Sequence, residues 1–386
     1  YIKKGYENLL LQSNSFDTSP WAQANILPPT SGQTGYDGST DAWYFEKVGA
    51  FGRLQQSIST SGVQNLSVYL KAKDSSWVNV EAAGTNTSRQ YFDLTNISKG
   101  SSNNIISSSI EDAGDGWRKC SITYEGTKTF AFVFPAEGNG QTSGTSGSIY
   151  IQDAQLNQGL VAYPYLETTT APAQGGLLEN SPRLDWSNGV PSVLVEEGRT
   201  NRITNSEYFG GWLLSTGGDA ILTEEMSPEG ALNVYRLNCN STNSRVQLGT
   251  AGAEGDNSVL SLFVKGVGVA TRLKLRCNTG LYIEYNIDDN GNFTYHGGTA
   301  TSYGLEEYGN GWNRIWFETT TVPIAADYFQ MYPDSEDGNG SVYVYGAQFE
   351  IGSTPTSYIP TYGTTQTRSN ETVSDTFSIP TTATIY

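Results

Sequence analysis

Few residues of this sequence carry the side chains that catalysis needs. The chain has one histidine, His296, in the segment FTYHGGTATS beside paired glycines. A Ser-His-Asp triad or a histidine-based metal site would have to be built on this residue. Its glycine-rich surroundings instead favour a histidine in a turn.

Carboxylates are more numerous, and two acidic pairs recur: Glu111 with Asp112, and Glu306 with Glu307. A glycosidase needs two carboxyl groups roughly 5 to 10 Å apart within a cleft. Both pairs precede a glycine turn, which is typical of solvated loop edges. We therefore expect no catalytic residues and no enzymatic activity.

Two acidic turns carry oxygen ligands at close spacing. DDNGNF contains Asp288 and Asp289, and DSEDGNGS contains Asp334 and Asp337. A hard cation such as calcium binds such ligands, although neither segment has the full EF-hand pattern. Asx-rich hairpin turns explain the same residues. A structural calcium ion is the one cofactor that the sequence leaves open.

Saccharide binding would use aromatic rings that cover the apolar face of a sugar, flanked by amides and carboxylates. The candidate rings are Trp43, Tyr69, Trp77, Tyr150, Trp316, Tyr332 and Tyr343. Packing in the core or against a neighbouring chain explains these rings equally well.

Composition limits the class of protein. The 386 residues suit two domains of ordinary size. Lys+Arg of 22 against Asp+Glu of 39 gives a net charge of -17, which repels phosphate backbones. No run of about 18 apolar residues exists. We expect no nucleic-acid partner and no membrane insertion, and we interpret Cys120, Cys239 and Cys277 as small buried residues.

Short alternating segments position these side chains. In LSVYLKA, Leu66, Val68 and Leu70 point one way, and the residues between them point the other way. Similar segments of about five to eight residues, bounded by Gly, Asn, Ser and Asp, fill the chain. The sequence predicts an all-β fold of sandwich or jelly-roll type.

The segments occur twice in the same order. YENLLLQSNSFDTSPW near the N-terminus matches EGRTNRITNSEYFGGW, so that Asn8 aligns with Asn201. RLQQS matches RVQLG, SVYLK matches SLFVK, EDAGDGWRKCSI matches EEYGNGWNRIWF, and GSIYIQDAQL matches GSVYVYGAQF. The chain is therefore a tandem duplication. Trp117 and Trp312, in the matching DGW and NGW turns, are predicted to anchor the two cores.

The predicted organisation is two tandem β-sandwich (jelly-roll) domains with a short hairpin linker. The expected ranges are repeat 1 at 1–165, the linker at 166–198, repeat 2 at 199–370, and a chain end or the start of a further segment at 371–386. The Pro/Thr/Ala-rich segment from Leu160 is interpreted as a connector, followed by a hairpin around 187–189. The strand-like end favours a longer polypeptide.

These blocks, together with PRLDW and VLVEEGRTN of the linker, resemble the repeated modules of structural proteins of tailed bacteriophages. Such modules occur in tail fibres, receptor-binding proteins and head fibres or decorations. The resemblance covers nearly the whole chain. It implies a carbohydrate-binding-type jelly roll, a virion component and no enzymatic activity, and it supplies no catalytic residue. Repeat 1 departs from the pattern at YIQDAQLNQGLVAYPY, where repeat 2 has the typical form.

The sequence therefore predicts a non-enzymatic protein on the virion surface, in contact with other virion proteins and a host cell-surface glycan. Fibres of this class are trimeric and decorations are monomeric or clustered, so a homotrimer is one of the arrangements left open. The alternative is a secreted bacterial carbohydrate-binding protein, or an accessory region of a polysaccharide-degrading enzyme.

Overall fold

The structure is a computed structural model. It describes residues 5–176, 183–185, 190, 192–215, 217–250, 257–268, 270–277, 280–319 and 327–372. Regular structure in these residues is β, apart from one 3₁₀ turn at Phe209–Gly211. No helix in this part of the chain has the length and apolar character needed to cross a membrane.

Repeat 1 is a sandwich of two antiparallel sheets of six strands each. The front strands are β3 (Thr30–Gln33), β4 (Ala42–Lys47), β6 (Val63–Ala72), β10 (Ser107–Gly114), β11 (Trp117–Glu125) and β13 (Gly147–Gln158). The back strands are β2 (Trp21–Ala24), β5 (Arg53–Thr60), β7 (Trp77–Gly84), β8 (Thr87–Asp93), β9 (Ser98–Asn103) and β12 (Lys128–Ala136). The front order is β10-β11-β6-β13-β4-β3 and the back order is β2-β5-β12-β7-β8-β9.

Repeat 2 has the same architecture. Its front strands are β19 (Asp219–Leu222), β20 (Tyr235–Asn238), β22 (Ser258–Gly266), β26 (Tyr303–Gly309), β27 (Trp312–Thr319) and β29 (Ser341–Ile351). Its back strands are β18 (Leu213–Ser215), β21 (Arg245–Thr250), β23 (Arg272–Cys277), β24 (Tyr282–Ile287), β25 (Phe293–Gly298) and β28 (Asp327–Tyr332). The orders are β19-β20-β29-β22-β27-β26 and β18-β21-β28-β23-β24-β25, which confirms two tandem β-sandwiches.

The alternation of β6 produces the core of repeat 1. Leu66, Val68 and Leu70 lie between the sheets at 2%, 1% and 0% exposure, as the sequence predicts. The matching residues of β22, Leu260 and Leu262, lie in the core of repeat 2. Burial of such apolar side chains is the main term that stabilises each sandwich.

The prediction that Trp117 and Trp312 anchor these cores is wrong about the face on which they lie. Both are buried, at 1% and 2% exposure. However, Trp117 is the register partner of Lys71, whereas Cys120 of the same strand faces the core. Since side chains alternate along a strand, Trp117 lies on the outer surface of the front sheet. Trp312 belongs to a separate cluster with Phe263.

A strap buries part of this outer surface in each repeat, at 160–168 in repeat 1 and at 353–361 in repeat 2. Gln155 holds the first strap, because its amide nitrogen donates to the Tyr163 carbonyl (3.0 Å) and its Oε1 accepts from the Leu166 N–H (2.8 Å). Gln348 binds the second strap in the same way. The segment predicted to be a connector from Leu160 is therefore a packed part of repeat 1.

The duplicated opening phrase holds the strap in place. Asn8 is 0% exposed, and its Nδ2 donates to the carbonyls of Ala154 (3.1 Å) and Leu166 (2.8 Å). Its Oδ1 accepts from the N–H of Leu10 and from an N–H of β13, both at 3.1 Å. Asn201 makes the equivalent four bonds in repeat 2. The repeated asparagine is therefore a clamp between the N-terminal segment, the front sheet and the strap.

Three two-stranded ribbons complete the structure: β1 (Tyr6–Asn8) with β14 (Ala173–Gly175), β15 (Arg183–Asp185) with β16 (Ser192–Leu194), and β17 (Arg199–Asn201) with β30 (Gln366–Arg368). The first ribbon extends repeat 1 beyond the predicted boundary at residue 165. The predicted hairpin turn at 187–189 lies outside the described residues, as does most of the predicted end segment 371–386.

The two repeats contact each other through backbone and side chains. The Val63 N–H donates to the Tyr362 carbonyl (3.0 Å), and Asn205 donates to Glu125 (3.2 Å). Gly62 has a φ of +82°, and a Cβ at this position would lie 1.4 Å from the Tyr362 oxygen. Only glycine allows the chains to approach this closely.

Candidate functional site

A cleft of about 1320 Å³ opens on the outer surface of the front sheet of repeat 1. Strands β10, β11 and β6 form its floor, the strap forms one wall, and the segment 222–232 of repeat 2 forms another. Its lining includes Tyr6, Asn65, Ser109, Glu111, Lys119, Ser121, Thr123, Leu160, Tyr163, Leu222, Glu229 and Leu232. The cleft therefore requires both repeats.

Small polar side chains form the floor of the cleft. The Ser109 and Ser121 hydroxyls lie 2.8 Å apart. Asn65 is 1% exposed, and its Nδ2 donates to Thr123 Oγ1 at 2.8 Å. Its Oδ1 is buried without a hydrogen-bond partner in the described part of the chain. This oxygen is also closed to solvent, so it belongs to the packed base of the cleft and is not presented to a ligand.

A carboxylate and an ammonium group lie side by side on the floor of the cleft. Glu111 and Lys119 are register partners on β10 and β11. Burial lowers the pKa of Lys119, and the charge of Glu111 opposes this shift. The Lys119 ammonium lies 5.8 Å from the centroid of the Tyr69 ring. The pair offers one donor group and one acceptor group beside an aromatic ring.

The wall formed by the strap presents aromatic rings. The rings of Tyr6 and Tyr163 stack with centroids 4.8 Å apart and an interplanar angle of 20°. The Tyr163 hydroxyl donates to Glu229 of repeat 2 at 3.2 Å. This bond fixes the strap against the opposite wall of the cleft.

Beyond Lys119, a second polar cluster occupies the same sheet surface. The rings of Tyr36 and Tyr69 stack at 3.7 Å with an interplanar angle of 5°. The Tyr36 hydroxyl donates to Asp153 Oδ2 at 2.8 Å, and its backbone N–H donates to Gln152 Oε1 at 3.0 Å. The Gln152 amide nitrogen donates in turn to Asp41 at 2.7 Å. The loop that carries Tyr36 is thereby fixed to the sheet.

Asp153 is unusual in both backbone and side chain. It has a φ of +52°, a left-handed conformation that β-strand residues other than glycine seldom adopt. It is 6% exposed. Burial raises the pKa of Asp153 to about 7; the hydrogen bond from Tyr36 opposes the shift, and the charges of Asp41 and Asp37 add to it. The matching residue of repeat 2 is Gly346, with a φ of +59°.

The same surface of repeat 2 is closed by aromatic side chains. Phe263, Trp312, Tyr345 and Tyr358 form one buried cluster there. The hydroxyls of Tyr345 and Tyr358 each donate to the buried carboxylate of Glu207 at 3.2 Å. Repeat 1 has Tyr69 and Gln152 at the positions of Phe263 and Tyr345. The two copies therefore share a frame. In repeat 2, however, polar groups of this surface such as Glu207 and Arg314 are buried among the aromatic rings.

The candidate aromatic residues of repeat 1 are dispersed in the structure. Trp43 is 8% exposed and lies in the core, with its indole N–H donating to the Asn14 carbonyl (2.9 Å). Trp77 is half-buried on the back sheet. Tyr150 is half-buried on the front sheet, 5.8 Å from the Tyr44 ring. Tyr69 borders the cleft through Lys119.

The candidate aromatic residues of repeat 2 also lie apart. Tyr332 is 8% exposed, and its hydroxyl donates to Gln330 at 3.0 Å. Tyr343 packs against the closed aromatic cluster. Trp316 is half-buried on the front sheet and lies over Gly304, where an added Cβ would be 2.5 Å from the indole nitrogen.

The carboxylates considered for calcium serve their own turns. Asp288 accepts from the N–H groups of Asn290 and Asn292, and Asp334 is 0% exposed and accepts from the Thr271 hydroxyl at 2.9 Å. Asp289 and Asp337 are exposed. Within the described ranges, the structure has no group of three or more His, Cys, Asp or Glu side chains that could hold a metal ion.

The residues considered for catalysis lie on strands, which corrects their assignment to turns and loop edges. His296 is an exposed residue of β25. Glu306 and Glu307 are exposed on the edge strand β26, and Glu111 and Asp112 are exposed on the edge strand β10. Of these, only Glu111 lines the cleft.

Sequence reasoning missed most of the cleft. Tyr163 lies in the segment that composition assigned to a connector, and Glu229 comes from the other repeat. One signal was present in the alternation of β6, which puts Asn65, Ser67 and Tyr69 on the same outer face. A polar row of this kind on a strand indicates a surface that differs from the core face.

Comparisons with solved structures give remote similarities. The chain is similar to the N-terminal CBM22-1–CBM22-2 tandem domain of Xyn10C from Paenibacillus barcinonensis, with 12% identity over 89% of this chain and 98% of that one, at a TM-score of 0.28. It is also similar to the exo-β-1,3-galactanase of Phanerochaete chrysosporium, with 8% identity over 84% of this chain and 69% of that one, at a TM-score of 0.25. No protein-family profile and no curated protein matches the chain. Similarity at this level assigns neither ligand nor activity.

Proposed function

We propose that the chain is a non-enzymatic saccharide-binding protein of a bacteriophage virion, and that its binding site is the cleft of repeat 1. The observation that carries the proposal is the lining of the cleft, which combines polar groups of Ser109, Glu111 and Lys119 with the stacked rings of Tyr6 and Tyr163. A sugar offers hydroxyl groups and an apolar C–H face, and such a lining can bind both.

The rest of the lining has the mixed chemistry that a saccharide needs. Apolar side chains such as Leu160 and Leu222 and the tyrosine wall contact the C–H faces of a sugar ring. The serine hydroxyls, Glu111 and Lys119 can donate to and accept from its hydroxyl groups.

The carboxylates of the cleft favour binding rather than hydrolysis. Glycosidases place a proton donor and a second carboxylate on opposite sides of the glycosidic bond. Here Glu229 already accepts from Tyr163 and from Asn233, and the other carboxylates of the cleft lining, Glu111 and Glu224, are exposed. Hydrolysis would appear as reducing ends released from polysaccharide and lost in Glu111→Gln. We expect no such release.

A reciprocal pair of substitutions tests the cleft. Alignment of Glu111 with Glu306 puts Ser121 at the position of Trp316, so Ser121→Trp inserts a ring on the cleft floor and Trp316→Ser removes one from repeat 2. We expect the first variant to bind neutral oligosaccharides on an array more weakly than the wild type and the second to bind them as the wild type does. Loss of binding only in Trp316→Ser would move the site to repeat 2 and overturn the proposal.

Placement on a virion is supported by the resemblance of both repeats and the linker to phage structural modules. The partners would then be other virion proteins and a host cell-surface glycan. Mass spectrometry and cryo-electron microscopy of purified particles should find the chain in fixed stoichiometry with the capsid or tail. The same cleft would serve a secreted carbohydrate-binding protein equally well, and absence from particles would favour that alternative.

A further inference from the structure

Repeat 2 exposes a pair of stacked tyrosines on the open side of its sandwich. Strand β25 is the edge of the back sheet and β26 is the edge of the front sheet. Tyr295 of β25 and Tyr303 of β26 bridge these edges, with ring centroids 4.1 Å apart and an interplanar angle of 11°. They are 36% and 39% exposed, so both rings keep part of their surface open to solvent.

A β-bulge and a buried ring set this geometry. Tyr285 pairs with Tyr295 and Glu284 pairs with Gly297, so His296 is an extra residue on β25. Bulges of this kind redirect the side chains beside them. Tyr285 is 2% exposed, packs edge-on to Tyr295 at 5.8 Å and donates its hydroxyl to the Gly304 carbonyl at 3.2 Å. The pair therefore rests on a fixed support.

The histidine of the bulge follows Tyr295 in the chain. His296 is exposed, and its ring nitrogens can form hydrogen bonds, as the two tyrosine hydroxyls can. We refer to Tyr295, His296 and Tyr303 as the tyrosine shelf.

Repeat 1 shows that the fold does not need this shelf. Its edge strands β9 and β10 have the sequences SKGSSN and SSSIEDAG, which contain no aromatic residue. Alignment of Glu111 with Glu306 places Ser108 at the position of Tyr303. The same sandwich edge therefore forms without aromatic residues, since in repeat 1 the Ser108 hydroxyl donates to Gln90 Oε1 at 3.0 Å instead.

We propose that the tyrosine shelf is a second saccharide site, which binds a neutral pyranose by stacking on the tyrosine rings. The inference rests on the proposed function of the chain and gives it a second binding point. Ring faces bind the C–H face of a sugar, and His296 and the tyrosine hydroxyls hydrogen-bond its hydroxyl groups. Two sites on one chain would raise the affinity for a polysaccharide well above that of either site.

The experiment uses the full chain with the cleft blocked by Ser121→Trp. Saturation-transfer difference NMR with methyl β-D-glucopyranoside and methyl β-D-galactopyranoside should show transfer to the sugar ring protons. Adding Tyr303→Ser, which copies Ser108, should abolish the signal, and Tyr303→Phe should keep it. The apparent affinity for a soluble neutral polysaccharide should fall about tenfold when the shelf alone is removed.

A second measurement does not depend on the variant folding. In the chain with selectively labelled tyrosine, both methyl glycosides should shift the ring resonances of Tyr295 and Tyr303 but not that of the buried Tyr285. Absence of these shifts, or a transfer signal unaffected by Tyr303→Ser, would overturn the second site. Failure of the proposed function would instead appear as oligosaccharide binding that Ser121→Trp does not weaken in a chain that already carries Tyr303→Ser, so the two failures are distinguishable.

Discussion

Replacing Asp153 with asparagine should make the folded chain more stable, relative to the wild type, as the pH rises. The pKa of Asp153 is raised from 3.8 to about 7 in the folded chain, mainly by burial. A shift of one unit corresponds to about 1.4 kcal/mol, so this one corresponds to about 4 kcal/mol. Because the folded pKa is the higher one, the stability linked to the proton is fully present below about pH 3.8. It declines as the pH rises and is lost above about pH 7.

Urea unfolding of the wild type and of Asp153→Asn, followed by tryptophan fluorescence, measures this effect. Asparagine has nearly the same shape and does not titrate, so the difference between the two free energies of unfolding isolates the site. We expect the variant to gain about 3 kcal/mol relative to the wild type between about pH 4.5 and pH 7.5.

Asp288 of repeat 2 is the control, because it has no contact with Asp153. Hydrogen bonds from Asn292 lower the pKa of Asp288, so its contribution to stability is lost only as the pH falls below the usual range. The Asp288→Asn difference should therefore stay flat in the same window. A flat or falling difference for Asp153→Asn would mean that Asp153 is ionised in the folded protein, with Tyr36 stabilising its charge, and would refute the reasoning.

Two further substitutions test the duplicated frame. Asn8→Ala and Asn201→Ala each leave two carbonyls and two N–H groups buried without partners, so each should lower the free energy of unfolding by at least about 3 kcal/mol. Calorimetry should show one repeat destabilised in each variant, and a negligible change in either would contradict the clamp. Gly62→Ala should separate the repeats at Tyr362 while leaving both sandwiches folded, because the added Cβ has no room. Small-angle scattering should then give a larger radius of gyration, whereas an unchanged radius would contradict the close contact.

The two sandwiches could be predicted because the alternating patterns that specify their strands lie within short segments of sequence. Alternation in β6 identifies Leu66, Val68 and Leu70 as one face regardless of what lies elsewhere. The duplication was equally visible, since Asn8 and Asn201 begin matching blocks in the same order. Neither inference needs a contact between residues that are distant in sequence.

The faces were harder to assign because the front sheet is buried on both sides. Period-two alternation separates two faces but does not say which one meets the other sheet. Trp117 follows this alternation and is as buried as a core residue, but it lies on the outer face, where the Tyr36 ring packs edge-on against it at 6.5 Å. The strap could not be recognised from its composition, because its Pro, Thr and Ala residues are also typical of linkers.

The cleft could not be predicted because its walls come from different repeats. Tyr163 and Glu229 meet only through the packing of the two sandwiches. The left-handed backbone of Asp153 depends on the bulge in β13 and has no sequence signal beyond the glycine at the matching position, Gly346. Aromatic composition indicated rings for a saccharide but gave no basis for choosing among them.

The ribbons β1–β14 and β17–β30 determine how each repeat responds to a pulling force. The chain enters repeat 1 at Tyr6 and leaves at Gly175, which are register partners, and Arg199 and Arg368 are the corresponding pair in repeat 2. Tension along the polypeptide therefore opens each ribbon like a zip, one pair at a time, rather than shearing it. After a few residue pairs of the ribbon have separated, the force acts on the clamp asparagine. The sandwich therefore carries no force until the hydrogen bonds of that asparagine break.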